Sequence, residues 1–287
     1  MQLPEYPESY WRRTADLPAF PKLTRDLETE FAVVGGGLTG LTTAYLLAKE
    51  GRRVALLTAD RLLGGTTGYT TAKITAQHDL IYDELIAHFG EDKARLYYEA
   101  NAGALAFMRG LVAEHGIACD FVDEDAVVYA TREEGLHKLE KEYAAYQRLG
   151  IPGERYDTLT LPFGATAALS MKRQARFHPT PYAAFLAGEI VRLGGEIFEE
   201  TTMDKFHDGE TAKVTTKDGN TVTCDAVAAC SHFPFSTTAF ISRVCMPRAR
   251  TSSRSSRLTT IRAGCTLRRT SRSARCARSL TAERSCS

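Results

Sequence analysis

Three glycines in the run Gly35-Gly36-Gly37-Leu38-Thr39-Gly40 stand at the 1-3-6 spacing that suits a dinucleotide. At such a site Gly35 permits the tight turn and Gly37 lets backbone amides approach a pyrophosphate. Gly40 lets a helix pack closely on its strand. The phosphates would lie where that helix begins, since its unpaired N–H groups and dipole favour negative charge. Roughly twenty residues further on, such a motif calls for an acid on the adenosine ribose. Thr58 occupies that place and Asp60 follows two positions later. Alternation along a strand lets Asp60 point the same way as Thr58 if the strand persists. Ribose recognition is therefore the weakest part of the motif. The next stretch, Arg61 to Lys73, brings Gly64, Gly65, Thr66, Thr67, Gly68, Thr70 and Thr71 together. Such a loop supplies N–H and hydroxyl donors to a second face of a diphosphate. The plain alternative is a flexible surface loop.

The elements that would position these residues are readable around them. A β-type run, Phe31 to Val34, enters the glycines, and a helix face at Leu38, Leu41, Tyr45 and Ala48 leaves them. A second strand follows at Val54 to Leu57. Beyond the loop, helical spacing predicts three helices. One covers about Asp79 to Phe89, with Ile81, Leu85 and Phe89 on one face. A longer one covers Glu91 to His115, with Leu96, Ala100, Phe107 and Leu111 in register. The third lies near Glu133 to Leu149, with Leu136, Leu139, Tyr143 and Tyr146. These stripes read as core rather than as a cofactor box. Another helix opens near Arg176 to Tyr182 and ends at Gly194-Gly195. A strand around Glu196 to Met203 and a hairpin turning at Asp218-Gly219 follow. Pro4, Pro7, Pro18 and Pro21 mark an extended N-terminal arm.

Ser9-Tyr10-Trp11, VVGGGLTG and GGTTGYTTAKIT together resemble the D-amino-acid-oxidase superfamily of FAD-dependent oxidoreductases. That group includes the glycine, sarcosine and γ-glutamylputrescine oxidases. TTGYTTAKIT is most similar to a branch that carries an additional C-terminal Rieske iron–sulfur domain. Arg176 to Tyr182 and Asp225 to Ser231 carry the likeness on, so that it covers residue 9 to about 235. The resemblance implies an α/β fold: a Rossmann-like FAD/NAD(P)-binding domain plus an α+β substrate domain, incomplete at the C-terminus. Its segments would be an arm (1–29), a first FAD-binding segment (30–76), a mostly helical insert (77–165) and a second FAD-binding segment (166–235). The resemblance further implies FAD as cofactor, held at Gly35, Gly36, Gly37, Leu38, Thr39, Gly40, Thr58, Asp60, Thr66, Thr67, Gly68, Thr71 and Lys73. Backbone near Met203 would meet the adenine.

The reaction implied is oxidation of a small-molecule primary or secondary amine by hydride transfer to the flavin, leaving an imine that hydrolyses. In such chemistry the cofactor does the hard step and the protein orients it. The electron acceptor stays open between oxygen, a quinone and an iron–sulfur partner. No catalytic residue is assigned. Lys73 and His78 follow the cofactor loop and could approach the ring, although Lys73 reads equally well as a solvated charge. His178-Pro179 is a landmark at a helix start, with a structural role. Two other functions compete: a nucleotide-binding remnant without turnover, for which Thr58 speaks, and an NAD-linked dehydrogenase.

Composition divides the chain in two. Residues 1–235 carry 24 Lys and Arg against 34 Asp and Glu, whereas 236–287 hold 12 Arg, 11 Ser and the single acid Glu283. The near-neutral total of +1 conceals this split. Cys245, Cys265, Cys276 and Cys286 also fall in the tail, which shows no helix or strand spacing. A basic arm for nucleic acid or an acidic membrane surface would mix Lys with Arg. A disulfide-rich segment lacks a secretory signal. A reading-frame shift after Phe235 accounts best for Arg-rich, Lys-free sequence, and it would remove the family's later sheet strands and a Gly-rich segment that holds the flavin ring. Such a tail is expected to be disordered. Cys119, Cys224 and Cys230 are too scattered for a disulfide framework, which suits a reducing cytoplasm. Cys230-Ser231-His232 has the spacing of half a Rieske site but no C-x-x-H partner, so no metal is expected. No nucleic-acid partner and no membrane span are expected either.

Overall fold

The computed structural model describes residues 8–157, 167–207, 211–232 and the short strand 258–259. From the N-terminus the elements are α1 (Tyr10–Thr14), β1 (Leu27–Glu28), β2 (Phe31–Val34), α2 (Leu38–Lys49) and β3 (Val54–Leu57). A 3₁₀ turn (Thr66–Tyr69) precedes β4 (Lys73–Ile74), α3 (Tyr82–Phe89), α4 (Glu91–His115), β5 (Val122–Ala130) and α5 (Glu133–Leu149). Then come β6 (Gly153–Tyr156), β7 (Ala167–Arg176), α6 (Pro179–Arg192), β8 (Glu196–Phe198) and β9 (Met203–His207). The last are β10 (Ala212–Thr216), β11 (Thr221–Cys224), β12 (Ala226–Ala229) and β13 (Leu258–Thr259). Two compact units divide the chain, one made of 1–69 with 183–287 and the other of 70–182.

In the first unit a parallel sheet runs in the order β13-β12-β2-β3-β8. Its central strands are buried on both faces, as the unbroken apolar runs FAVV and VALL require. Alternate residues serve opposite sides. Ala32, Val34, Ala55 and Leu57 pack onto Ala212, Val214, Val222 and Cys224 of a second sheet, ordered β1-β11-β10-β9. Each large apolar side chain buried here contributes about 1.5–3 kcal/mol. α2 lies against β2 and β3 and buries Leu41, Ala44, Tyr45 and Ala48.

The α/β expectation, the strands at 31–34 and 54–57, and the hairpin around Asp218-Gly219 all appear as the sequence reads. Two expectations need correcting. The strand drawn through Glu196 to Met203 breaks after Phe198, because Glu199 to Thr202 leave the parallel sheet and β9 starts in the other one. The N-terminal arm is not uniformly extended. Ser9 caps α1, its side chain accepting the Arg12 N–H, and β1 pairs in parallel with β11.

In the second unit β5 and β4 flank β7 in antiparallel pairing, and β6 also joins β7. Leu139, Tyr146 and Leu149 of α5 pack with Leu169 and Met171 of β7 and with Tyr82 of α3. The sheet strands β5 and β7 lacked a sequence signal, since acids interrupt β5 at Asp123, Glu124 and Asp125. α4 and α5 have the expected limits, but α3 starts at Tyr82 rather than near Asp79. The stripe on α4 holds in part. Leu111 is buried as expected, but Leu96 and Phe107 are exposed, and burial falls also on Ala94 and Leu105. The proposed frame shift and the disordered tail lie outside the described residues, apart from β13.

Candidate cofactor site

At the carboxyl ends of β2, β3 and β12 the first unit opens into a cavity of about 830 Å³. Ligands of open parallel sheets bind at this edge. Its wall begins with the glycine turn. Gly35 adopts φ +122°, which a side chain would strain, and its N–H donates to the Leu57 carbonyl at 2.8 Å. A methyl on Gly35 would fall 2.7 Å from the Cys230 carbonyl group, and one on Gly36 would meet Thr58 at 2.9 Å. Gly37 is the N-cap of α2 and offers no side-chain cap; the helix carries no acid in its first turn. The Leu38 N–H donates to Thr67 Oγ1 at 3.2 Å. The amides of Gly36, Gly37 and Thr39 have no acceptor among the described residues. An uncapped, acid-free helix start with spare donors is an anion site in waiting.

The remaining wall comes from loops that the fold brings to this edge. Thr58, Asp60 and Arg61 continue β3, and Thr66 and Thr67 open the 3₁₀ turn. Thr201 to Met203 and Ala229 to His232 complete the lining. Thr58 is buried and bridges the neighbouring strand end, its N–H on the Phe198 carbonyl (2.9 Å) and its carbonyl accepting the Thr201 N–H (2.8 Å). Asp60 is exposed and folds over Gly64, where an added methyl would lie 2.5 Å from Oδ2. Cys230 donates weakly to Thr43 Oγ1 at 3.9 Å, and burial pushes its thiol up to about 11. It is half-buried and lines the cavity.

Of the residues singled out in the sequence, Gly35, Gly36, Gly37, Leu38, Thr39, Thr58, Asp60, Thr66, Thr67 and Met203 line this one cavity. Gly40 does not line it and acts from behind, its Cα against the Gly35 carbonyl oxygen. Gly68 is likewise buried behind the wall. Its carbonyl accepts the Ser9 hydroxyl, and Arg12 donates to Tyr69 OH at 3.0 Å.

Thr71 and Lys73 belong to the second unit and do not line the cavity. Lys73 is exposed opposite Arg176 on β7, where it borders a separate hollow of about 340 Å³ with Glu124 and Asp125. His78 faces Asn101 Oδ1 at 3.2 Å. His178 is buried at the start of α6, with its Nδ1 accepting the Thr180 N–H at 3.3 Å. Burial lowers its pKa, which keeps it an acceptor. No cluster of three or more His, Cys, Asp or Glu fit for a metal exists among the described residues.

The sequence reading missed the wall from Ala229 to His232. The signal was the bare approach that Gly35 demands, because something must fill the space a side chain cannot. It also missed Glu199, a buried carboxylate on the loop after β8.

Comparison with known proteins follows the same outline. The family described as FAD dependent oxidoreductase, DAO, matches residues 30–260, past Phe235. The putative Rieske 2Fe-2S iron-sulfur protein YhfW of Bacillus subtilis is 47% identical over 231 residues, 80% of this chain and 45% of that protein. The γ-glutamylputrescine oxidoreductase of Escherichia coli is 25% identical over 231 residues, 75% of this chain and 52% of its own. A crystal structure of glycine oxidase from Geobacillus kaustophilus shares the fold with TM-score 0.59 at 21% identity, over 71% of this chain and 55% of that one. The chain spans about half the length of the curated relatives it matches.

Proposed function

Because the chain belongs to the DAO family of FAD-dependent oxidoreductases, we propose that its first unit holds the ADP half of FAD and that the whole protein oxidises a small amine or amino acid at a C–N bond. The observation that carries the first part is the start of α2, where the amides of Gly36, Gly37 and Thr39 have no acceptor among the described residues, beside a helix end without an acid. Those amides suit the diphosphate, and Thr66 and Thr67 add hydroxyls to the same wall, Thr67 beside the helix start. Asp60 is the acid available to the ribose, since Thr58 offers only a hydroxyl. Backbone around Met203 borders the adenine end.

A bound flavin would supply the acceptor for a hydride from the substrate carbon. The chain's own part is to bind and orient it. Glycines exclude side chains from the phosphate wall, and Leu62 and Leu63 are buried behind it. The amine substrate class is supported by the name of the γ-glutamylputrescine relative and by the amino-acid oxidases among the similar folds.

The visible spectrum of the purified chain, before and after incubation with FAD and removal of the excess, tests the reading. A stoichiometric flavin band is expected, with NADH failing to compete. NADH binding with no flavin retention would replace FAD by a nicotinamide cofactor.

A further inference from the structure

Glu199 sits one strand from Thr58, which lines the cavity. It follows β8, whose Phe198 pairs with Leu57 at the end of β3. Its side chain is 4% exposed. One carboxylate oxygen accepts the Leu62 N–H at 2.7 Å and the other accepts the Phe20 N–H at 3.0 Å. Leu62 belongs to the loop that leads into the 3₁₀ turn, and Phe20 to the N-terminal arm. The arm closes on the same spot twice more. The Glu199 N–H donates to the Pro21 carbonyl at 3.1 Å, and Thr201 Oγ1 accepts the Leu23 N–H at 3.1 Å. Arg61 Nε lies 3.9 Å from the carboxylate but its side chain is 60% exposed, so that ion pair contributes little. The two backbone amides do the holding.

What they hold matters for the cavity. The next residue, Leu63, has φ +57°, a left-handed conformation that a branched side chain adopts only where its surroundings impose it. In that conformation the Leu63 N–H donates to the Gly36 carbonyl at 3.0 Å, which fixes the glycine turn. A buried carboxylate bonded to two N–H groups makes charge-assisted bonds roughly twice as strong as neutral ones. Release of Leu62 would leave its amide and one carboxylate oxygen unpaired.

We propose that Glu199 is a positioning residue for the nucleotide site: its carboxylate pins Leu62, keeps Leu63 strained onto Gly36, and ties this loop to the N-terminal arm. The proposal rests on the reading of the cavity as the FAD site. A glutamine at this position keeps one acceptor but turns an NH₂ toward the second amide.

The test compares the full chain with its Glu199→Gln variant by amide exchange without ligand and by FAD titration. In the variant, Leu62 and Leu63 should exchange about tenfold faster or more while Leu56 in β3 is unchanged, and the Kd for FAD should rise about tenfold. Unchanged exchange at Leu62 and Leu63 overturns the clamp. Equal acceleration at Leu56 overturns positioning in favour of general stability. Faster exchange with an unaltered Kd severs the clamp from the site. A parent chain that takes no FAD refutes the cofactor reading instead, and exchange at Leu62 and Leu63 still decides the clamp. Should Glu199→Gln fail to fold, Glu199→Asp, which keeps both acceptors on a shorter stem, carries the same measurements with changes of the same sign.

Discussion

A methyl group on Gly40 would lie 1.8 Å from the Gly35 carbonyl oxygen, and backbone cannot swing aside as a side chain could. The first turn of α2 and the turn after β2 therefore touch through bare backbone, and neither can retreat without opening the phosphate wall. Gly40→Ala is expected to cost about 3 kcal/mol through overpacking and to abolish flavin retention. Gly103, inside α4, has nothing within 4 Å of the same position. Gly103→Ala should instead gain about 1 kcal/mol from helix propensity. Urea unfolding of the two variants should give midpoint shifts of opposite sign, and shifts of the same sign would sink the steric argument. Gly35, Gly37 and Gly40 were legible in the sequence because each answers a local backbone demand. Glu199 and Glu142 were not. Glu199 meets its amide 137 positions away, and nothing in the letter E announces burial.

At the scale of elements, Glu142 shows how a helix start can be fixed from another helix. α3 has no side-chain cap of its own. The Glu142 carboxylate, on α5, accepts the N–H groups of Ile81 (3.1 Å), Tyr82 (3.0 Å) and Asp83 (2.9 Å), three donors the helix itself cannot pair. That tertiary cap explains why α3 begins at Tyr82 while apolar spacing alone suggested Asp79. Glu142→Ala should cost about 3 kcal/mol, because the amides are left buried and unpaired. Burial raises the Glu142 pKa above its usual 4.5, against the pull of the amides. A raised pKa in the folded chain means that this group's stabilising contribution is complete below pH 4.5 and is lost as pH rises through the raised value. Stability curves of the parent and Glu142→Gln should therefore converge in acid and separate toward neutrality, the parent losing ground. Parallel curves across that range would show that the carboxyl titrates as it does in the unfolded chain. The partly misread stripe on α4 has the same root. Leu96, Ala100, Phe107 and Leu111 keep helical spacing, yet Leu96 is 64% exposed while Leu111 is buried. Periodicity finds a helix without saying which side meets the core.

For the whole molecule, the division at Tyr69 and Tyr182 makes a statement about where a bound cofactor must leave its energy. The cavity's lining comes entirely from the first unit. A ligand that binds only the folded form stabilises it by mass action, about 2.7 kcal/mol at a hundred times its Kd. If FAD occupies this cavity, that gain belongs to the sheet that carries the glycine turn. Val33 and Leu56, buried at the centre of the parallel sheet, should lose their amide protons more slowly with FAD present. Leu169 and Met171, in the sheet of the second unit, should exchange as before. Equal protection of both sheets would place the ligand elsewhere or spread its effect through the chain. Protection of neither would return the glycine turn to a structural role. The experiment needs no turnover, so it separates cofactor binding from catalysis. The cavity's own lining answers for the first, and the curated relatives run to about twice the length of this chain.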